Sequence, residues 1–209
     1  MNGLCINNAF SPTMIVFSSK KKLFFSVAEN PPLKQPNNIL YVVKSMMELF
    51  SFSPKDIDFI SVVKGPGSFT GTRIGVVEGK MLAFLLNIPL VALNSLELIA
   101  SGFEGEVIPV LPAGRNAYFV SRFNFGKRME QDLCINLEEL LQIEATIITP
   151  VSSLKNVLKE KRVIVYIPTL NEFAKKSFEK FTEGSIVDDP LSLTPTYLRS
   201  VNLIFKRKK

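Results

Sequence analysis

The stretch from Phe59 to Ala83 sets the tightest limit on the fold. Phe59 to Val63, apolar except for Ser61, reads as a buried strand, Gly65-Pro66-Gly67-Ser68 is a tight turn, and a helical pattern begins near Thr70. In that helix Gly71, Gly75 and Gly79 fall four apart and Ala83 continues the row, so one face has almost no side chain. Glycine inside a helix costs roughly 1 kcal/mol against alanine, so three of them imply a backbone in close approach. Two neighbours satisfy that demand: the chain's own sheet, or a second helix from this chain or a partner. Strand, turn and helix in this order make the unit of an α/β fold.

The flanking sequence extends the plan. Gly3 to Ile6, Met14 to Phe17 and Leu23 to Val27 read as a β-meander, with Ser18-Ser19-Lys20-Lys21 as a polar turn. After the breaks at Pro31-Pro32 and Pro36-Asn37-Asn38, the spacing of Ile39, Val42, Val43, Met46, Met47 and Phe50 predicts a helix with a wide apolar surface. Pro89 to Leu93 reads as a strand and Ser95 to Ser101 as a helix with Ser95 as N-cap. A boundary at Gly102 to Gly105 divides a first lobe, 1–103, from a smaller second lobe, 104–209. There the expected elements are strands at Val107–Leu111, Ala117–Phe125 and Met129–Asn136, a helix at Leu137–Ile143, strands at Thr146–Ile148 and Val163–Ile167, and a helix at Asn171–Phe181. No repeat of 20–50 residues shows.

The chain has no histidine, which removes Ser-His-acid and Cys-His catalysis and every His-containing metal site. Cys5 and Cys134 are too few for a disulfide framework and read as reduced, buried thiols of a cytoplasmic protein. The net charge of +6 is concentrated at the end, where Lys206, Arg207, Lys208 and Lys209 form a basic tail, a solvated terminus or a contact for RNA. Neither a signal peptide nor a membrane-length apolar run is present.

The turn at Gly65, Gly67 and Ser68 invites a phosphate-loop reading, because a glycine turn at a helix start presents free N–H groups. Thr70 stands where both the Walker A and the dinucleotide patterns need glycine, and no lysine follows Gly71, so a structural elbow is the first reading and anion binding the alternative. Asp56, Asp58, Asp188 and Asp189 lie in loops and read as solvated acids. Arg73 is a candidate to pair with a phosphate or a partner's carboxylate, or to make a surface salt bridge. No nucleophile with an activating base is found.

The run Gly65-Pro66-Gly67-Ser68-Phe69-Thr70-Gly71-x-Arg73-Ile74-Gly75, then Lys80-x-Leu82-Ala83, Ile88-Pro89-Leu90-Val91 and Ser95-Leu96-Glu97, resembles the YeaZ/TsaB family. Ala113-Gly114-Arg115-Asn116-Ala117-Tyr118 is similar to the family's hairpin opening the second lobe, and Pro195-Thr196-Tyr197-Leu198-Arg199 to its C-terminal motif. The resemblance implies an α/β, actin/Hsp70/sugar-kinase-like (ribonuclease H-like) two-lobed fold. It implies a non-catalytic subunit in bacterial synthesis of N6-threonylcarbamoyladenosine at position 37 of tRNA, paired with a TsaD-type transferase that carries nucleotide and metal, and joined by a TsaE-type ATPase. It implies a homodimer when alone.

Departures from the family bear on the rival reading, an autonomous nucleotide-dependent enzyme, phosphotransferase- or protease-like. Ile6-Asn7-Asn8 replaces an Ile-Asp-Thr-like strand end, and Pro112 stands where an acid is common. Such carboxylates organise Mg²⁺ and phosphates in nucleotide-dependent relatives, so their loss argues against ATP chemistry in this chain. The expected partner interface is Ile39, Val43, Met46, Met47 and Phe50 from one helix with Gly71, Arg73, Ile74, Gly75, Val77, Glu78 and Gly79 from the next. On that expectation Gly75→Leu abolishes pairing and leaves the isolated fold intact.

Overall fold

The computed structural model describes residues 1–19, 23–29, 38–159 and 161–198. Part of the polar turn at 18–21, the proline breaks and the basic tail fall outside these residues. In the first of two mixed sheets, β1 (Asn2–Asn7), β2 (Thr13–Ser19) and β3 (Leu23–Glu29) form the antiparallel meander. The helix α1 (Asn38–Phe50) precedes β4 (Phe59–Val63), and α2 (Phe69–Leu86) connects β4 to β5 (Leu90–Leu93). Both strands run parallel to β1, giving the order β3-β2-β1-β4-β5.

Side chains alternate across the strands. Leu4, Ile6, Ile15, Phe17, Ile60 and Val62 meet Ile39, Val43, Met46, Ile74, Val76 and Ala83 of α1 and α2. Cys5, Met14, Val16, Phe59 and Val63 belong to the opposite face. With both faces covered, the strands read in sequence as continuous apolar runs.

After α3 (Ser95–Ala100) a second sheet repeats the plan. β6 (Glu106–Gly114) and β7 (Ala117–Val120) form a hairpin through Arg115 and Asn116, both in left-handed backbone (φ 48° and 63°), as a primed two-residue turn requires. β8 (Phe123–Asn124) pairs with the start of β6 and with β9 (Lys127–Arg128), and β10 (Leu133–Asn136) adds to β7. β11 (Thr146–Thr149) and β12 (Val163–Val165) complete the order β10-β7-β6-β11-β12, the last two parallel to β6. A meander followed by two parallel strands, made twice, is the actin/Hsp70/sugar-kinase-like plan.

Ala117–Phe125 is not one strand. By register, Ser121 and Arg122 stand opposite Pro109 and Ile108; proline has no N–H to give, and the ladder lapses between β7 and β8. Residues 129–132 likewise separate β9 from β10, and α3 is capped by Asn94 rather than Ser95, the Asn94 Oδ1 accepting the N–H groups of Leu96 and Glu97 at 2.8 and 3.1 Å.

The short helices α4 (Leu137–Leu141) and α5 (Leu154–Val157) cover the second sheet around Ile108, Val110, Tyr118 and Ile147. The last helix, α6 (Leu170–Thr182), packs on β1, β2, β3 and β5 of the first sheet. Phe173 and Phe178 of α6 join Leu96 and Leu98 of α3, Phe59 and Val63 of the first sheet, and Val107, Leu111 and Ile148 of the second in one core. Beyond α6, residues 186–198 form a strap back along the first sheet: Ile186 bridges Val91, Val187 N–H donates to Leu90 at 2.8 Å, and Thr196 N–H donates to Lys64 at 2.7 Å.

Candidate functional site

Helix α2 begins at Ser68, whose Oγ accepts the Gly71 N–H at 3.2 Å, and ends at Asn87 in left-handed backbone. Its glycine row faces the chain's own sheet. A Cβ on Gly71 would meet the Asn8 carbonyl oxygen, and one on Gly79 the Val62 Cγ1, each closer than 3.0 Å; on Gly75 it would lie 3.3 Å from the Asn8 Cβ. Asn8 fixes the contact, its Nδ2 donating to the Gly71 carbonyl at 3.1 Å while its Oδ1 accepts from Thr13 Oγ1 at 2.6 Å.

The partner interface expected from sequence therefore needs correction. Gly71, Gly75 and Gly79 serve internal packing, and Ile39, Val43, Met46 and Ile74 are buried because the outer face of the sheet needs cover. Glu78 is also buried, its carboxylate accepting the Leu40 N–H at 3.1 Å and so serving the start of α1. From the expected set, Arg73, Val77 and Phe50 remain exposed and Met47 is half-buried.

Phe69, Met81, Phe84 and Leu85 were missed. They are 49, 41, 51 and 70% exposed and, with Arg73 and 49%-exposed Val77, make one stripe at helical spacing along α2. Their signal was present in the sequence: α2 carries bulky apolar residues on more than one side, so once glycines claim one side for the sheet, those opposite must face out.

Arg73 sits at the head of this stripe. Its Nε donates to the Tyr197 hydroxyl at 2.6 Å, and the guanidinium carbon lies 3.7 Å from the Phe69 ring centroid and 5.4 Å from that of Tyr197. Tyr197 belongs to the strap, which Lys80 also holds, its Nζ donating to the carbonyls of Leu191 and Leu193 at 3.1 and 3.3 Å.

The Gly65–Ser68 turn approaches the chain's own backbone. Gly65 has φ +101°, its carbonyl accepts the Ser95 N–H at 2.9 Å, Ser68 N–H donates to Ala9 at 2.7 Å, and the Ala9 carbonyl fills the place of a Gly67 side chain. Beside it lies a cavity of about 350 Å³, bounded by Ser68, Phe69, Thr72, Pro112, Gly114 and Tyr197, with no carboxylate among the described residues of its wall. Among the described residues no group of three or more Cys, Asp or Glu is placed to hold a metal ion. Asn7, fully buried, donates from Nδ2 to the carbonyls of Phe10 and Pro12 at 3.1 and 3.0 Å and accepts the Ala9 N–H at 3.1 Å.

A partly buried charge cluster joins α3 to α6, where Glu97 meets Lys176 at 3.1 Å and Lys180 at 3.0 Å. Burial would raise the Glu97 carboxyl, but the two ammonium groups together outweigh it and hold the group below its ordinary range. Burial pushes the Cys5 thiol up to about 12, while Cys134 is only half-buried.

The family profile described as "TsaD: tRNA N6-adenosine threonylcarbamoyltransferase" matches residues 35–178. The chain is 38% identical over 86 residues to the tRNA threonylcarbamoyladenosine biosynthesis protein TsaB of Bacillus subtilis, a match covering 40% of this chain and 38% of that protein. Its fold is that of YeaZ from Pseudomonas aeruginosa, with a TM-score of 0.77 at 16% identity over 94% of this chain and 99% of that one. The chain belongs to the family of the TsaD profile. It is also 32% identical over 114 residues to a tRNA N6-adenosine threonylcarbamoyltransferase of Clostridioides difficile, covering 51% of this chain and 34% of that enzyme. The match to the Bacillus protein spans about two fifths of that relative's length.

Proposed function

We propose that this chain is a non-catalytic docking subunit in the synthesis of tRNA N6-threonylcarbamoyladenosine, binding a TsaD-type transferase through the outer face of α2 and activating it. The observation that carries the reading is the exposed stripe Phe69-Arg73-Val77-Met81-Phe84-Leu85 on a helix whose other side is committed to the sheet. Covering five half-exposed apolar side chains contributes on the order of 5 kcal/mol before the cost of association. Relatives named for this biosynthesis and for the transferase support the pathway.

In this reading nucleotide and metal sit on the partner subunits, a TsaE-type ATPase joins the assembly, and the chain acts in the cytoplasm. Alone it self-associates through the same stripe. The tail Lys206–Lys209, outside the described residues, supplies a salt-sensitive contact to tRNA within the complex.

The test is reconstitution with tRNA, threonine, bicarbonate, ATP and the other pathway proteins, with and without this chain, scored for the modified nucleoside by mass spectrometry. Product that depends on this chain, with no ATP consumed by the chain alone, is expected. Equal product on omission overturns the reading. The cavity beside Ser68 favours the rival, an autonomous nucleotide-dependent enzyme, which requires Mg²⁺-dependent ATP turnover by the isolated chain.

A further inference from the structure

The chemistry of α2 narrows what a partner's matching face must carry. The only carboxylate in α2 is Glu78, buried and turned to the start of α1, so the exposed arc holds a cation at Arg73 and no anion. The Arg73 guanidinium is held twice, by Tyr197 at Nε and by the Phe69 ring against its face. Among the described residues its two terminal nitrogens have no hydrogen-bond or ion-pair partner. A fork fixed in place with both prongs unused matches a carboxylate bidentately, and the apolar residues beside it deepen the attraction once water is excluded.

We propose that the stripe selects a partner helix bearing an Asp or Glu that meets Arg73, and that a second copy of this chain is the weaker occupant. The inference rests on the docking reading of α2 above. In an isologous pair, Arg73 of each copy faces an α2 stripe without a carboxylate, and a cation buried unpaired opposes association. Selection thus comes from a penalty on the wrong partner as well as a bond to the right one. A phosphate would fit the same fork, but Val77, Met81, Phe84 and Leu85 offer a nucleic-acid backbone nothing, whereas they fit a protein helix.

The experiment measures affinity of the full-length chain for the TsaD-type transferase of the same organism by calorimetry at low and high salt, and self-association by sedimentation. Val77→Asp is expected to abolish transferase binding. Arg73→Ala is expected to weaken it about 10- to 100-fold and to flatten its salt dependence, with Arg73→Lys recovering part of the loss. Arg73→Ala alone should self-associate at least as well as the wild type. Because Arg73 is exposed, circular dichroism should show these variants folded.

Loss of binding in Val77→Asp with unchanged affinity and salt slope in Arg73→Ala overturns the carboxylate and leaves docking standing. No effect of Val77→Asp overturns docking itself. If Arg73→Ala weakens the homodimer as much as the heterodimer, selection against a second copy fails. If it lowers affinity for tRNA and not for the transferase, the ligand is a phosphate and the inference is wrong.

Discussion

Replacing the α2 glycines one at a time by alanine separates internal packing from partner packing. On an open helix each change stabilises by about 1 kcal/mol through propensity and unfolded-state entropy. At Gly71 the new methyl would meet the Asn8 carbonyl oxygen, backbone that cannot rotate away, so α2 must retreat and strain the Asn8 Nδ2 bond to the Gly71 carbonyl. Overpacking of about 1–3 kcal/mol, plus a similar cost for a buried polar group left unsatisfied, less the propensity gain of about 1 kcal/mol, gives a net loss of about 1–5 kcal/mol. At Gly79 the obstacle is the Cγ1 of fully buried Val62, a side chain stiff at χ1, and the net loss is about 1–2 kcal/mol. At Gly75 the nearest atom, Asn8 Cβ, stands at 3.3 Å and needs to give by a few tenths of an ångström, so the change stays within about 1 kcal/mol of neutral. Urea unfolding followed by far-ultraviolet circular dichroism, at two widely separated protein concentrations, reads the series. The expected order of stability is Gly75→Ala, then Gly79→Ala, then Gly71→Ala, unchanged by concentration. Gly71→Ala at wild-type stability, with its defect appearing only in association, would refute the packing argument. By the same geometry, Gly75→Leu unfolds the first sheet's cover rather than sparing the fold.

Two further perturbations test the buried polar groups. Because the Glu97 carboxyl is held below its ordinary value of 4.5, its contribution is present at neutral pH and lost as pH falls through the acid range; Glu97→Gln should be less stable by about 1–2 kcal/mol at pH 7 and show a flatter acid limb, and parallel pH curves would refute this. Asn7→Asp sets a carboxylate against the Phe10 and Pro12 carbonyls in a site with no exposure, so a loss of about 3–5 kcal/mol at neutral pH is expected in thermal melts, partly relieved by acid; a change under about 1 kcal/mol would show that the amide is not donating there.

Much of the architecture was legible because local signals and packing agree. The sequence places β4 to the residue, since a short run that is apolar except for Ser61, set between a polar loop and a glycine turn, has one reading, and it places α1 to within a residue. The break between β7 and β8 is hidden because apolar and aromatic residues continue on both sides of Ser121-Arg122, a pair that an exposed strand position tolerates, and the interruption comes from Pro109, on another strand. No residue repeat betrays the doubled sheet plan, because strand order is set by long-range pairing; only the family resemblance pointed to it. The glycine row was legible as a close approach, but its neighbour, the Asn8 carbonyl, lies 63 residues away from Gly71. The stripe was missed for the complementary reason: Phe69, Met81 and Phe84 look like core until the opposite side of α2 is known to be taken.

The strap has a consequence for the order in which this chain is made. Its Thr196 amide donates to Lys64 and its Tyr197 hydroxyl receives Arg73, so the edge of the docking helix is finished by residues synthesised well over a hundred positions later. At about 5–20 residues per second, roughly 7–26 s separate Lys64 from Thr196 on the ribosome. During that interval the first sheet and α2 can collapse together, but the Arg73 fork is held by the Phe69 ring alone and the stripe lacks its border. A partner meeting the nascent chain finds an apolar helix whose selective charge lacks its second hold, and that charge selects most sharply once the C-terminal segment has been made.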